Sequence, residues 1–124
     1  MNMKLELVPI PVTDVDRAKA FYVDKIGFIA DHDQVVHEGL RFVQLTPPGS
    51  ACSIVMGVGI TTMKPGSVKS YQMVIEDARK THDELAKRGV NVSDVDVQPW
   101  GSFVNFEDPD GNGWSLQELP KRDN

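Results

Sequence analysis

The sequence predicts an α+β fold assembled from two βαβββ modules. Helix-boundary residues recur at a fixed offset: Asp14 and Asp77 lie 63 residues apart, Gly27 and Gly89 lie 62 apart. Three strand-like segments follow each helix-like one, and the stretch between the copies, Gly57 to Ser67, is rich in Gly, Thr and Pro. A repeat of about 60 residues is a supersecondary unit that cannot cover both faces of its own sheet, so two copies are expected to pack together. Residues 1–124 therefore read as one domain, with module one at 4–57, a joint at 58–67 and module two at 68–119.

In chain order, Leu5 to Val12 reads as a strand with Val8, Ile10 and Val12 on one face. Pro9 and Pro11 lie opposite, and a proline belongs in a strand only where no donor is needed, so this strand is expected at a sheet boundary. Thr13 or Asp14 caps the first helix. Val15, Ala18, Tyr22 and Ile26 recur at helical spacing, and Gly27 ends the helix. Phe28 to Ala30, Leu40 to Leu45 and Ala51 to Met56 read as strands, the last two joined through Pro48-Gly49, a type II turn pair. The second copy repeats the order. Ser70 to Ile75 is a strand, Asp77 a cap, and Ala78, His82 and Leu85 a stripe closed by Gly89. Val90 to Val97, Phe103 to Phe106 and Trp114 to Leu119 follow as strands, with a turn at Asp108-Pro109-Asp110-Gly111-Asn112.

Composition narrows the function. Of 124 residues, 40% are hydrophobic and 25% charged, which is ordinary for a packed domain and unlike a disordered chain. No apolar run approaches the roughly 18 residues of a membrane span, and no apolar signal core follows Met1 to Lys4. A net charge of −5 with scattered Lys and Arg argues against nucleic acid as a partner. The single cysteine, Cys52, fits a reducing compartment, so a cytoplasmic protein is expected.

The residues from Val12-Thr13-Asp14 through Phe21-Tyr22 to Gly27-Phe28, then Glu76-Asp77 to Gly89-Val90, and the Asp108-to-Asn112 turn, together resemble the vicinal oxygen chelate superfamily. This is the group of glyoxalases, bleomycin-resistance proteins and ring-cleaving dioxygenases, and the likeness covers about Leu5 to Leu119. Gln44 to Ser50 and the ending Asn112 to Glu118 are similar to a glyoxalase-like bacterial branch of it. The resemblance implies a cup-shaped, curved mixed sheet with helices outside. In metal-using members it also implies a His or Gln in the first strand, a carboxylate or Gln late in module one, a His opening module two, and a Glu three residues past the turn. In this chain those positions hold Leu7, the Cys52-to-Met56 strand, Ser70 and Ser115. Leucine is no ligand and neutral hydroxyls hold divalent ions weakly, so no metal cofactor is expected.

Alternation from Ser70 and Ser115 places Gln72 and Gln117 on the cup face. With Ser53, and with Leu7 and Pro9 as walls, they give a neutral, hydrogen-bonding pocket that suits an uncharged ligand. Trp100 and Phe103 offer flat apolar surface beside it. The expected site is thus Leu7, Pro9, Ser53, Ser70, Gln72, Trp100, Phe103, Ser115 and Gln117, taking a small, partly apolar molecule. A homodimer is expected, because relatives pair such sheet edges within a chain or across a dimer. The alternative is a lyase, isomerase or dioxygenase, with Glu118, His37 or Glu38 as acid–base groups, or with His32 and His37 holding a displaced metal. His82 reads as a helix residue beside the apolar stripe, and Cys52 as a small strand residue.

Overall fold

The computed structural model describes residues 1–121. They form two compact units, one comprising Met1–Val68 and Asp108–Asn112, the other Lys69–Glu107 with the chain from Gly113 onward.

In the first unit, β1 (Leu7–Pro9), β2 (Ile29–His37), β3 (Leu40–Thr46) and β4 (Ser53–Val58) make a mixed sheet in the order β1-β4-β3-β2. β1 runs parallel to β4 at one edge. Its flanking bonds to the neighbouring strand are Ser53 N–H to the Glu6 carbonyl and Ile10 N–H to the Val55 carbonyl, both 2.9 Å. Even-numbered residues therefore face β4, and Pro9 turns its missing N–H outward. The strand is shorter than the Leu5-to-Val12 reading: beyond Ile10 the chain leaves the ladder, and the Pro11 carbonyl accepts from Asn112 instead. Asp14, not Thr13, caps α1 (Val15–Ala20), accepting from the Arg17 N–H at 3.0 Å. The helix continues as a π-helical turn, Phe21–Ile26, which the spacing of apolar residues did not announce. Gly27, at φ 96°, ends it, with its N–H and that of Phe28 both bonded to the Tyr22 carbonyl. Left-handed backbone there penalises any Cβ. Phe28 stacks on Tyr22 at 5.4 Å rather than opening a strand, and β2 runs on to His37, well past the expected Ala30.

Ile10, Ala18, Tyr22, Val43, Leu45 and Met56 form the heart of this unit, each fully buried. An ion-pair chain ties α1 to the sheet: Asp33 on β2 accepts from Lys19 at 2.9 Å and from Arg41 at 2.8 Å, and Arg41 also meets Asp16 at 2.9 Å.

The Asp108–Asn112 turn is more than a reversal. The buried Asp108 carboxylate accepts from the Tyr22 hydroxyl and Asn112 Nδ2, both 2.8 Å, and from the Asp110 and Asn112 N–H groups, both 2.9 Å. Asn112, with no exposure, also donates to the Pro11 carbonyl at 2.8 Å and accepts from Val68 N–H at 3.3 Å. Asp110 accepts from the Thr13 hydroxyl at 2.6 Å. Buried polar groups persist only when so satisfied.

The second unit repeats the arrangement with β5 (Tyr71–Ile75), β6 (Asp96–Gln98), β7 (Gly101–Glu107) and β8 (Gly113–Glu118), in the order β5-β8-β7-β6. α2 (Ala78–Lys87) is capped by Asp77 and packs on β7 and β8. Trp114 stacks on Phe106 at 6.2 Å and meets Tyr71 edge-on at 5.4 Å, and Val104 and Leu116 complete the helix-side core. The Val90-to-Val97 strand reduces to Asp96–Gln98 plus one bridge between Val92 and Phe106. The Ser93 hydroxyl takes the Asn105 N–H at 2.8 Å, where a ladder would supply a carbonyl. Among the described residues no helix is long and apolar enough to cross a membrane.

Candidate functional site

Each sheet buries one face against its helix and directs a second face elsewhere, and the strand registers say which residues share that second face. In the second unit Gln72 pairs with Ser115, Asn105 with Ser115, Phe103 with Gln117 and Asp96 with Phe103. Around them lies a concavity of about 510 Å³, lined by Asp96, Gln98, Trp100, Phe103, Asn105 and Ser115. Trp100, at the β6–β7 hairpin, is 61% exposed, an unusual position for so large an apolar ring. Its carbonyl accepts from Gln117 Nε2 at 2.8 Å, and Gln117 Oε1 accepts from Gln72 Nε2 at 2.6 Å. The hairpin carrying the aromatic ring is thereby bonded to β8 and, through it, to β5.

Of the expected site residues, Trp100, Phe103 and Ser115 line this one concavity, while Gln72 and Gln117 form the bonded pair beside it. Ser70 is exposed, one residue before β5 and on the same alternation as Gln72. Asp96, Gln98 and Asn105 were missed. Asp96 and Gln98 alternate along Val95-Asp96-Val97-Gln98, and the tight Gln98–Gly101 hairpin would have placed Asp96 opposite Phe103.

Leu7, Pro9 and Ser53 belong to the first unit, where Leu7 pairs with Ser53 and Pro9 with Val55. Ser53 is buried and accepts from Gln44 Nε2 at 3.3 Å; its hydroxyl lies 2.6 Å from that of Thr46, which donates to Asp31. Gln44 and Thr46 were missed as site candidates, although alternation along Phe42, Gln44 and Thr46 marks them as one face.

These residues do not fit a divalent ion. Leu7 has no donor atom, the Ser53 hydroxyl is already engaged by Gln44 and Thr46, and Ser70 and Ser115 offer only neutral hydroxyls. Among the described residues no three His, Cys, Asp or Glu side chains converge as a metal-binding group. His32 and His37 lie on exposed β2, with His37 Nδ1 2.7 Å from the Glu38 carbonyl oxygen. His82 meets Asp83 at 2.9 Å on α2. The Glu118 carboxylate accepts the Ala78 N–H at 2.8 Å, adding a second cap to α2 on the helix side of the sheet. Cys52, half-buried, precedes β4 with its thiol 3.7 Å from the Ser53 carbonyl oxygen.

Two βαβββ halves, with the Asp108–Asn112 turn joining β7 to β8, place the chain in the Glyoxalase/Bleomycin resistance protein/Dioxygenase superfamily, whose family model matches residues 4–116. The chain belongs to that superfamily. Among solved structures it is similar to TnmS3, an antibiotic binding protein from Streptomyces sp. CB03234, at 34% identity and a TM-score of 0.88, covering 96% of this chain and 98% of that one. A glyoxalase/bleomycin resistance protein from the same Streptomyces is 35% identical, with a TM-score of 0.82 over 92% of this chain and 99% of that one. The uncharacterized protein YetH of Bacillus subtilis is 27% identical over 95% of this chain and its own full length.

Proposed function

We propose that this protein binds a small, partly apolar molecule in its second unit, without the metal that other members of the superfamily use. The concavity at Trp100 carries the reading. A largely exposed indole, on a residue whose backbone carbonyl is bonded to Gln117, beside Phe103 and a rim of amide and hydroxyl groups, is what a flat ligand with polar edges requires. TnmS3, alike over nearly the whole chain, binds an antibiotic, which favours sequestration over turnover. Residues 1–124 act here as one domain, with Ser70, Gln72 and Gln117 bordering the ligand. The working form is a homodimer in the cytoplasm: β2 is exposed along its whole length, with Ile29, Val35 and Val36 all more than half exposed.

The test uses the two tryptophans. Trp100 is exposed and Trp114 buried, so emission from the two is separable. Bleomycin and a set of polycyclic aromatic antibiotics should include a compound that quenches the Trp100 component saturably and raises the melting temperature. Trp100→Ala should abolish both effects. A panel with no saturable, Trp100-dependent response rejects the proposal. Light scattering at micromolar concentration should return twice the 13.7 kDa chain mass, and a monomer would remove the dimer from it.

A further inference from the structure

Hydrogen-bond direction in the second unit restricts what the concavity can bind. The Trp100 carbonyl only accepts, so Gln117 must turn its amide nitrogen toward it. Gln117 then offers its oxygen to Gln72, which must donate in turn, so the Gln72 carbonyl oxygen is the end left over. The Asp96 carboxylate also only accepts, and Gln98 donates Nε2 to it at 2.9 Å. Gln98 is thereby oriented with its Oε1 unused among the described residues. One amide hydrogen of Gln98 remains, against two lone pairs on its oxygen and those of the second Asp96 oxygen. No Lys, Arg or His lines the concavity, so Asp96 leaves it with a negative charge.

We infer that the ligand is a planar aromatic molecule bearing N–H donors and positive charge, and that Gln98 is the residue that selects for the donors. This rests on the binding role proposed above and replaces the uncharged ligand expected from the serines and glutamines alone. The indole face attracts a cation at the site, Asp96 supplies the counter-charge, and the fixed Gln98 carbonyl receives the N–H. An anionic ligand meets the Asp96 charge, and an acceptor-only one gains nothing from Asp96 or the Gln98 carbonyl and is left with the Asn105 and Ser115 donors.

Three fused-ring probes of similar size separate the contributions: aminoacridine (cation with N–H donors), N-methylacridinium (cation without them) and anthracene carboxylate (anion). Titration by fluorescence should rank them in that order. Aminoacridine should bind about tenfold tighter than N-methylacridinium, the effect of about one charge-assisted hydrogen bond. Gln98→Met should reduce that ratio to near one, and Asp96→Asn should weaken both cations. Equal affinity for the two cations, or tightest binding of the carboxylate, overturns the inference yet leaves the pocket a binding site if Trp100→Ala still abolishes binding. No Trp100-dependent binding of any probe overturns both.

Discussion

Removing a single oxygen from Tyr22 tests whether the Asp108–Asn112 turn is fastened by charge-assisted bonds. In Tyr22→Phe the ring keeps its contacts with Phe21, edge-on at 5.2 Å, and with Phe28, stacked at 5.4 Å. The 2.8 Å bond to Asp108 is lost, between a tyrosine of no exposure and an aspartate of 5%. A buried hydrogen bond to a charged group contributes about 1.5–3 kcal/mol. Three donors still serve the carboxylate, which sets the expected cost at the lower end, about 1.5–2 kcal/mol. For a chain of this length that is a melting-temperature fall of roughly 5–8 °C. Asp108→Ala orphans all four donors and should cost more than about 4 kcal/mol. Urea unfolding followed by circular dichroism measures each variant. Tyr22→Phe made in an Asp108→Asn background should cost at least about 1 kcal/mol less than in the wild type, the coupling expected of touching residues. A Tyr22→Phe cost below about 0.5 kcal/mol, with no coupling, would refute the fastening role.

Gly27→Val and Gly89→Val, at φ 96° and 84°, should each cost about 1–2 kcal/mol, read as lowered melting temperature; unchanged values would mean the helix ends tolerate a Cβ. Asp33 is held well below the usual carboxylate range by its bonds from Arg41 first and Lys19 second. A lowered folded-state value gives stability that is complete above the ordinary one and lost as pH falls toward the folded one. The stability gap between wild type and Asp33→Asn should therefore be constant above about pH 5 and shrink in stronger acid, and a gap that widens in acid contradicts the pairing. Purified protein should contain no stoichiometric zinc, nickel, iron or manganese, and chelator should leave its melting temperature unchanged. One tightly held equivalent would bring the enzyme reading, with His32 and His37, back to the front.

Residues whose local chemistry decides their place were legible from sequence. Asp14 and Asp77 cap, Gly27 and Gly89 stop, and Pro9 and Pro11 mark an edge, because each acts on backbone within a few positions of itself. The Asp108-to-Asn112 motif was legible as a turn but not as a fastening, since its partners Tyr22, Pro11 and Val68 are remote in sequence. The π-helical turn escaped because Tyr22 and Ile26 satisfy ordinary helical spacing. In the candidate site, Ser115 followed from the family resemblance, three residues past the turn, and Gln117 from alternation along the strand. Asp96 and Gln98 required the hairpin register, and Gln44 required knowing which hydroxyl it meets.

Pro9 gives the first sheet a direction of growth. At its β1 border, Pro9 has no hydrogen to offer an incoming strand, whereas β2 turns outward the N–H groups that β3 does not take. Lateral addition is therefore confined to one border. Two chains that join there consume both open borders at once and leave only proline-blocked ones outside. Assembly through this sheet would then stop at two copies, and the missing hydrogen of Pro9 would guard against fibre formation.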